Sequence, residues 1–245
     1  MTSEIERKPD TVRTIVTIDG PAGAGKSSVS RLAARTLGLW FLDTGAMYRA
    51  ATLLALRSGI PLDEGPAVAK ALRESELSYS AEEHDAPPRI TLHGKAIDPL
   101  RLRQPDVDSA VSPVSALPEV REVLVEAQRR IGREHPRLLS EGRDQGSVVF
   151  PQAEVKIFLF ASPRVRAERR AAQLLTSGVP ANVDQIEEEL RQRDERDMNR
   201  AVGPLTKPDD AVELDTSLLT RSAVVDEIVR IVREAVRDHA ETGAG

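Results

Sequence analysis

"TIVTIDGPAGAGKSSVSRLAARTLG", residues 14–38, places a predicted strand, a glycine-rich turn and a predicted helix directly after one another. The run TIVTID (14–19) is short, apolar and β-branched, which is typical of a buried strand. The run SSVSRLAARTLG (27–38) has helical composition and closes at a glycine, the residue that most often ends a helix. A strand that feeds a helix through a tight turn is the first unit of an α/β fold with a parallel sheet.

The turn GPAGAGKSS (20–28) matches the pattern G-x-x-x-x-G-K-[ST] in full. Its glycines let successive backbone N–H groups point at phosphate oxygens, and the following helix adds the positive end of its dipole. Lys26 is expected to reach between the β- and γ-phosphates, and the hydroxyl of Ser27 to bind Mg²⁺. The predicted triphosphate-binding residues are Gly20, Pro21, Ala22, Gly23, Ala24, Gly25, Lys26, Ser27 and Ser28. The pattern predicts nucleotide binding and leaves the chemistry open.

The rest of the chain continues the alternation of strand and helix. Further core strands are predicted at 39–43, 137–144, 155–161 and 211–217, and helices at 44–58, 118–132 and 223–239. Together with the first unit they predict a three-layer α/β fold with a parallel five-stranded sheet. RITLHGKAI (89–97) alternates with a period of two around His93 and Gly94, which predicts an antiparallel hairpin.

The domain organisation follows from these elements. The hairpin falls within a predicted inserted subdomain of about 63–108. Residues 1–12 are polar and are predicted to be loose, and 13–245 form one domain.

Composition excludes several classes of protein. The net charge of −5 argues against a partner that is a nucleic acid or a membrane surface. There is no cysteine, so disulfides, zinc-thiolate sites and a cysteine nucleophile are excluded, and a reducing cytoplasm is expected. No apolar run approaches the roughly 20 residues that a membrane helix needs. With no exposed apolar stripe, a monomer is expected.

Arginine is concentrated in one part of the chain. Between residues 162 and 200 there is no lysine, and the arginines are 164, 166, 169, 170, 191, 193, 196 and 200. Arginine binds phosphate in a bidentate manner, and phosphoryl transfer to an acceptor that is already an anion needs no general base. The alternative is a set of surface ion pairs at i,i+4 spacing, such as Glu187–Arg191 and Glu189–Arg193. On a helix Arg193, Asp197 and Arg200 would share one face, whereas Arg191 and Glu195 would lie on other, solvated faces.

At this point several segments resemble the bacterial cytidylate kinases in their order and spacing. They are IDGPAGAGKSSVSRLAA (18–34), LDTGAMYR (42–49), EGRDQGSVVFP (141–151), KIFLFAS (156–162) and RQRDERDMNRAVGPL (191–205). The resemblance implies a P-loop nucleoside monophosphate kinase fold with a nucleotide-binding insertion and a mobile lid at about 162–207. It also implies transfer of the γ-phosphoryl group of ATP to CMP or dCMP, with Mg²⁺.

The resemblance further implies roles for individual residues. The substrate-binding positions are Thr44, Arg49, Ser112, Arg121, Asp144, Arg193, Asp197 and Arg200. The positions at the transferring group are Lys26, Arg143, Arg166, Arg169 and Arg170. Gln145 departs from the methionine expected after GRD.

The residues implied for the base also agree with cytosine chemistry. A carboxylate at Asp144 accepts from the exocyclic amine, and Arg121 and Ser112 donate to N3 and O2.

Two alternatives stay open at this level. A kinase of the same fold could serve another small acceptor, such as a different nucleoside monophosphate or a metabolite hydroxyl. A P-loop switch protein would bind nucleotide to change partners, but it would have no need for so many arginines in one segment.

Overall fold

Five parallel strands form the central sheet of the computed structural model, which describes residues 13–80, 89–176 and 178–242. The strands in chain order are β1 (Thr14–Asp19), β2 (Trp40–Asp43), β3 (Ser78–Ser80), β4 (Arg89–Leu92), β5 (Lys95–Ala96), β6 (Arg137–Glu141), β7 (Val155–Phe160) and β8 (Val212–Asp215). The central sheet has the order β2-β6-β1-β7-β8, with every neighbouring pair parallel. The predicted parallel five-stranded sheet is confirmed.

Helices cover both faces of this sheet. They are α1 (Lys26–Leu37), α2 (Thr44–Ser58), α3 (Gly65–Glu74), α4 (Pro105–Ala116), α5 (Pro118–Glu134), α6 (Pro163–Thr176), α7 (Val183–Asn199) and α8 (Arg221–Thr242). Successive side chains of β1 point to opposite faces of the sheet: Ile15 packs with α2 and α5 on one face, whereas Val16 and Ile18 pack with α1 and α8 on the other. The three-layer prediction is therefore confirmed. Among the described helices, none combines the length and apolar character needed to cross a membrane.

A small antiparallel sheet, β3-β4-β5, lies between α3 and α4. The predicted hairpin is confirmed, since His93 and Gly94 turn the chain from β4 to β5 with φ values of 50° and 72°. Tyr79 ties this sheet to the core: its hydroxyl donates to the carbonyl oxygen of Phe41 (3.0 Å) and accepts from the N–H of Asp43 (2.8 Å). The predicted end of the insertion at 108 falls inside α4.

Helices α6 and α7 lie within the segment predicted to be the lid, and they share a small apolar core with Ala22. A π-helical turn at Gln145–Val149 follows β6. Asp19, the last residue of β1, accepts the N–H groups of Gln145 (2.8 Å) and Gly146 (2.7 Å) with its two carboxylate oxygens. The predicted loose segment 1–12 lies outside the described residues.

Candidate active site

The glycine-rich turn forms a backbone cradle between β1 and α1. Gly25 precedes α1 with a φ of 86°, in the left-handed region, and none of the described side chains caps the helix start. The first N–H groups of α1 are therefore available to an anion. Gly20 must lack a side chain as well, because a Cβ there would collide with the carbonyl oxygen of Leu159 on β7.

Lys26 lies buried inside this cradle. Its Nζ donates to the carbonyl oxygens of Gly20 (2.7 Å) and Pro21 (2.8 Å). Burial and the nearby Arg143 lower the pKa of Lys26 to about 7, although Glu141 opposes the shift. The ammonium is thus held by backbone carbonyls beside the donors of the cradle, where phosphate oxygens are the stronger acceptors.

Ser27 and Glu141 place two oxygen donors next to the cradle. The Ser27 hydroxyl donates to Oε1 of Glu141 (2.5 Å) at the end of β6. Burial and the neighbouring Asp43 raise the pKa of Glu141 to about 7. Within the described ranges no group of three or more acidic, histidine or cysteine side chains could hold a metal. Mg²⁺ bound with a nucleotide takes only one or two protein oxygens, so this pair fits it.

The predicted lid segment is attached to the cradle by Ala22, Arg166 and Asp194, which we call the loop–lid clip. The buried Arg166 donates Nη1 to Oδ2 of Asp194 (2.6 Å) and to the carbonyl oxygen of Ala22 (2.7 Å). Asp194 accepts the N–H of Ala22 with Oδ1 (3.0 Å). Both polar groups of Ala22 are therefore satisfied by side chains of α6 and α7.

The other two arginines predicted for the lid, Arg169 and Arg170, point elsewhere. Arg169 donates to the hydroxyl (3.0 Å) and carbonyl oxygen (2.6 Å) of Thr216, beyond the end of β8. Arg170 donates to Oδ2 of Asp108 (2.8 Å) on α4. In this structure the three arginines of α6 thus reach the cradle, the end of the sheet and α4.

Four arginines from four separate parts of the chain converge next to the cradle, and we call them the arginine cluster: Arg49, Arg143, Arg170 and Arg193. Arg143 donates Nε to Oδ2 of Asp197 (3.0 Å), and Arg49 donates Nη2 to Oδ1 of Asp108 (2.8 Å). Burial, then Arg143 and Arg49, lower the pKa of Arg193 to about 10. The buried Nε atoms of Arg49 and Arg193 have no hydrogen-bond partner among the described residues. Excess cationic charge with unused donors is suited to an anion.

A second polar group lies between α4, α5 and the turn after β6. Arg121 and Asp144 form a buried ion pair, and Nη2 of Arg200 lies 3.7 Å from Asp144. Burial raises the pKa of Asp144 despite these cations. Ser115 connects the pair to Ser112, because its carbonyl oxygen accepts from Arg121 (3.3 Å) and its hydroxyl donates to the Ser112 carbonyl oxygen (2.9 Å).

The same group carries unused polar atoms. The hydroxyl of Ser112 and Nε of Arg121 are buried and find no partner in the part of the chain that the structure describes. A buried hydroxyl and guanidinium N–H without partners, next to a carboxylate, suit a ligand that has both donors and acceptors on one edge. The hydroxyl of Thr44 does not face this group, since it donates to the carbonyl oxygen of Glu141 (2.8 Å).

The charged run on α7 divides as predicted, but its details differ. Arg191 pairs with Glu188 (2.7 Å) and Glu195 (2.5 Å) in solvent, so the expected Glu187–Arg191 pair is wrong. The expected Glu189–Arg193 pair is absent from the described contacts: Glu189 accepts from Gln185, and Arg193 lies in the arginine cluster. The helix ends at Asn199, so Arg200 lies beyond it in extended backbone. Its side chain still approaches both Asp144 and Asp197.

Comparison with known proteins agrees with this arrangement. Residues 16–234 match the family model described as cytidylate kinase. The chain belongs to the cytidylate kinase family. The cytidylate kinase of Nocardia farcinica is 45% identical over 224 residues, covering 91% of this chain and 94% of its own. The cytidylate kinase of Rhodococcus opacus is 46% identical over 220 residues, covering 90% and 95%.

Some relatives of the cytidylate kinase family are longer. A bifunctional pantoate ligase/cytidylate kinase of Synechococcus sp. is 45% identical over 223 residues, which are 91% of this chain and 41% of that protein. The chain therefore spans about two fifths of the length of such bifunctional relatives.

Within this family framework the structure adds residues that sequence reasoning missed. Asp19, Asp108, Glu141 and Asp194 are acidic partners of predicted site residues or of their neighbours. The signal for Asp19 was its position at the carboxyl end of the predicted strand 14–19. Glu141 lies inside the predicted strand 137–144, and it ends a strand only in the structure, where β6 stops at this residue. Asp108 and Asp194 lie on helices and carry no comparable local signal. Gln145, the noted departure, is buried in a polar chain in which it accepts from Ser140 (2.7 Å).

Proposed function

We propose that this protein transfers the γ-phosphoryl group of ATP to CMP or dCMP, giving ADP and CDP or dCDP. The observation that supports it best is the adjacency of three sites: the cradle, the arginine cluster, and the buried Arg121–Asp144 pair with Ser112. They suit, in that order, a triphosphate, a monophosphate and a polar base.

On the donor side the cradle binds the ATP phosphates through its backbone N–H groups. Lys26 exchanges its bonds to Gly20 and Pro21 for β- and γ-phosphate oxygens, and the phosphates restore its charge by raising its pKa. Mg²⁺, held by Ser27 with Glu141 nearby, would neutralise charge on the β- and γ-phosphates. Arg166 keeps Ala22, and with it the cradle, in position.

On the acceptor side the arginine cluster holds the CMP phosphate in line with the donor. An oxygen of that phosphate forms the new P–O bond while the bond to ADP breaks. The acceptor phosphate is already deprotonated near neutral pH, so no general base is required. Arg143, which lies close enough to Lys26 to lower its pKa, is placed to stabilise the charge between the two nucleotides.

Asp144 selects the base. Its carboxylate accepts from the exocyclic amine of cytosine, while Arg121 and Ser112 donate to N3 and O2. Uracil presents a carbonyl where cytosine has the amine, and this mismatch costs on the order of 1–3 kcal/mol. Asp197, fixed by Arg143, faces the sugar and phosphate side.

The test is an acceptor panel. Purified protein is given ATP, Mg²⁺ and each of CMP, dCMP, UMP, AMP and GMP, and ADP release is followed. We expect CMP and dCMP to be the best acceptors, with UMP weaker and the purine nucleotides inactive. Equal rates with CMP and AMP would reject the substrate assignment, and ATP binding without stimulation by any acceptor would favour a switch protein.

A further inference from the structure

Asp108 is an acidic residue placed among the groups that the proposed function assigns to the acceptor phosphate. It lies near the start of α4 and receives Nη2 of Arg49 at 2.8 Å on one oxygen and Nη2 of Arg170 at 2.8 Å on the other. Its side chain is only 25% exposed. Burial opposes its ionisation, but Arg49, Arg193 and Arg170 together hold its pKa below the ordinary value. Asp108 is therefore a carboxylate anion within the arginine cluster.

The geometry of these bonds is that of a small bridging oxyanion. Two separate guanidinium groups, one from α2 and one from α6, each donate to a different oxygen of the same group. A phosphate would be held by the same donors in the same manner. A retained carboxylate would repel a phosphate dianion at this distance, so binding of both anions to Arg49 and Arg170 at once is unfavourable.

We infer that Asp108 is a built-in competitor of the acceptor phosphate, which replaces it as the partner of Arg49 and Arg170 when the acceptor nucleotide binds. This inference rests on the proposed function. It makes Asp108 a positioning residue that weakens acceptor binding while it keeps the empty arginine cluster in order. It also links the insertion to the lid, because Asp108 on α4 bridges to Arg170 on α6.

The chain offers a matched control for this residue. Asp106 lies on the same first turn of α4, and its carboxylate pairs with Arg101 at 2.8 and 2.5 Å on the surface. Asp106→Asn and Asp108→Asn therefore make the same change of charge at the same helix start. Only Asp108 faces the arginine cluster.

Binding is measured by calorimetry without ATP, with CMP and with cytidine, which lacks the phosphate. We expect Asp108→Asn to lower the Kd for CMP by about threefold to tenfold, since one partly exposed ion-pair competitor is removed. The affinity for cytidine should stay within twofold, and Asp106→Asn should change neither. Asp108→Ser repeats the test with a side chain that cannot bridge the two arginines, and thermal unfolding confirms that each variant is folded.

Inorganic phosphate is a second probe, and its binding is measured by the rise in the midpoint temperature of thermal unfolding. Asp108→Asn should show this rise at lower phosphate concentrations than the wild type. Unchanged or weaker binding of both CMP and phosphate in both Asp108 variants would overturn the inference and make Asp108 a support for Arg49. A protein that rejects CMP as an acceptor, but whose variants still bind inorganic phosphate more tightly, would contradict the proposed function alone.

Discussion

Replacing Asp144 by asparagine should turn the base preference from cytosine toward uracil. The side chain of Asp144 is 3% exposed and forms an ion pair with Arg121, which can only donate hydrogen bonds. In Asp144→Asn the amide oxygen must therefore face Arg121, and the NH₂ group is left for the base. That NH₂ opposes the exocyclic amine of cytosine and matches the carbonyl of uracil.

The magnitude follows from the burial of this pair. In the variant the side-chain NH₂ faces the exocyclic amine of cytosine, and two buried donors in contact cost about 1–3 kcal/mol. Uracil, in contrast, no longer places its carbonyl against a carboxylate, which removes a mismatch of similar size. The two effects add to about 2–6 kcal/mol, and about 1.4 kcal/mol is a factor of ten, so the ratio of kcat/KM for CMP to that for UMP should fall by at least about 25-fold. Loss of the negative charge beside Arg121 and Arg200 also lowers the free energy of unfolding, so activity is measured well below the midpoint of thermal unfolding.

The assay is ADP release with CMP and UMP in turn, for the wild type and for Asp144→Asn. The KM for ATP is the internal control, because Asp144 does not contact the cradle in this arrangement, and it should stay within about twofold. A CMP to UMP ratio that changes by less than twofold in a folded variant with normal ATP binding would refute the assignment of Asp144 to the base.

Three further predictions concern the cradle, the lid and the arginine cluster. The folded pKa of Glu141, about 7, exceeds its unfolded value of 4.5, so the folded state binds more protons between these values. The free energy of unfolding should therefore fall as pH rises from about 5 to 7, by up to about 1.4 kcal/mol per pH unit for this group. Glu141→Gln should reduce this slope in denaturant titrations, and the buried Asp19, whose pKa burial raises to about 6, contributes to the slope that remains. Asp194→Ala removes the carboxylate partner of the buried Arg166, so it should lower the free energy of unfolding in urea by about 3–5 kcal/mol and raise the KM for ATP. Asp194→Asn should recover part of both losses, and equal behaviour of the two variants would contradict the role of the loop–lid clip. Arg193→Ala should raise the KM for CMP by about 10-fold or more but leave that for ATP unchanged, whereas the exposed Arg196→Ala should change neither.

Much of the fold was predictable because its signals are local. The apolar run of β1, the complete glycine-rich pattern and the helical run after it lie within 25 consecutive positions, from 14 to 38, and the structure agrees with all three. The turn at His93 and Gly94 was predictable for the same reason, since two adjacent residues with positive φ define it.

The partners of the site residues were less predictable because they are distant in sequence. Arg170 and Asp108 are 62 positions apart, and Arg166 lies 144 positions from Ala22, so only the packed fold brings them together. Helical spacing likewise could not choose between the i−3 and i−4 glutamates for Arg191, since both are within reach of one side chain. The family resemblance identified the arginines together with Asp144 and Asp197, and the structure added Asp108 and Asp194 as further acidic partners.

Asp19 has a consequence for how the two substrates are spaced. It ends the strand that leads into the cradle, and it also holds the N–H groups of the two residues that follow Asp144. One carboxylate thus sets the distance between the ATP loop and the residue proposed to select the base, because it joins the end of β1 to the π-helical turn that follows β6. A movement of α6 or α7 would change the side chains around the reacting groups. A movement of β1 would instead displace the ATP loop and the base-binding residues together, so the distance between them would stay the same.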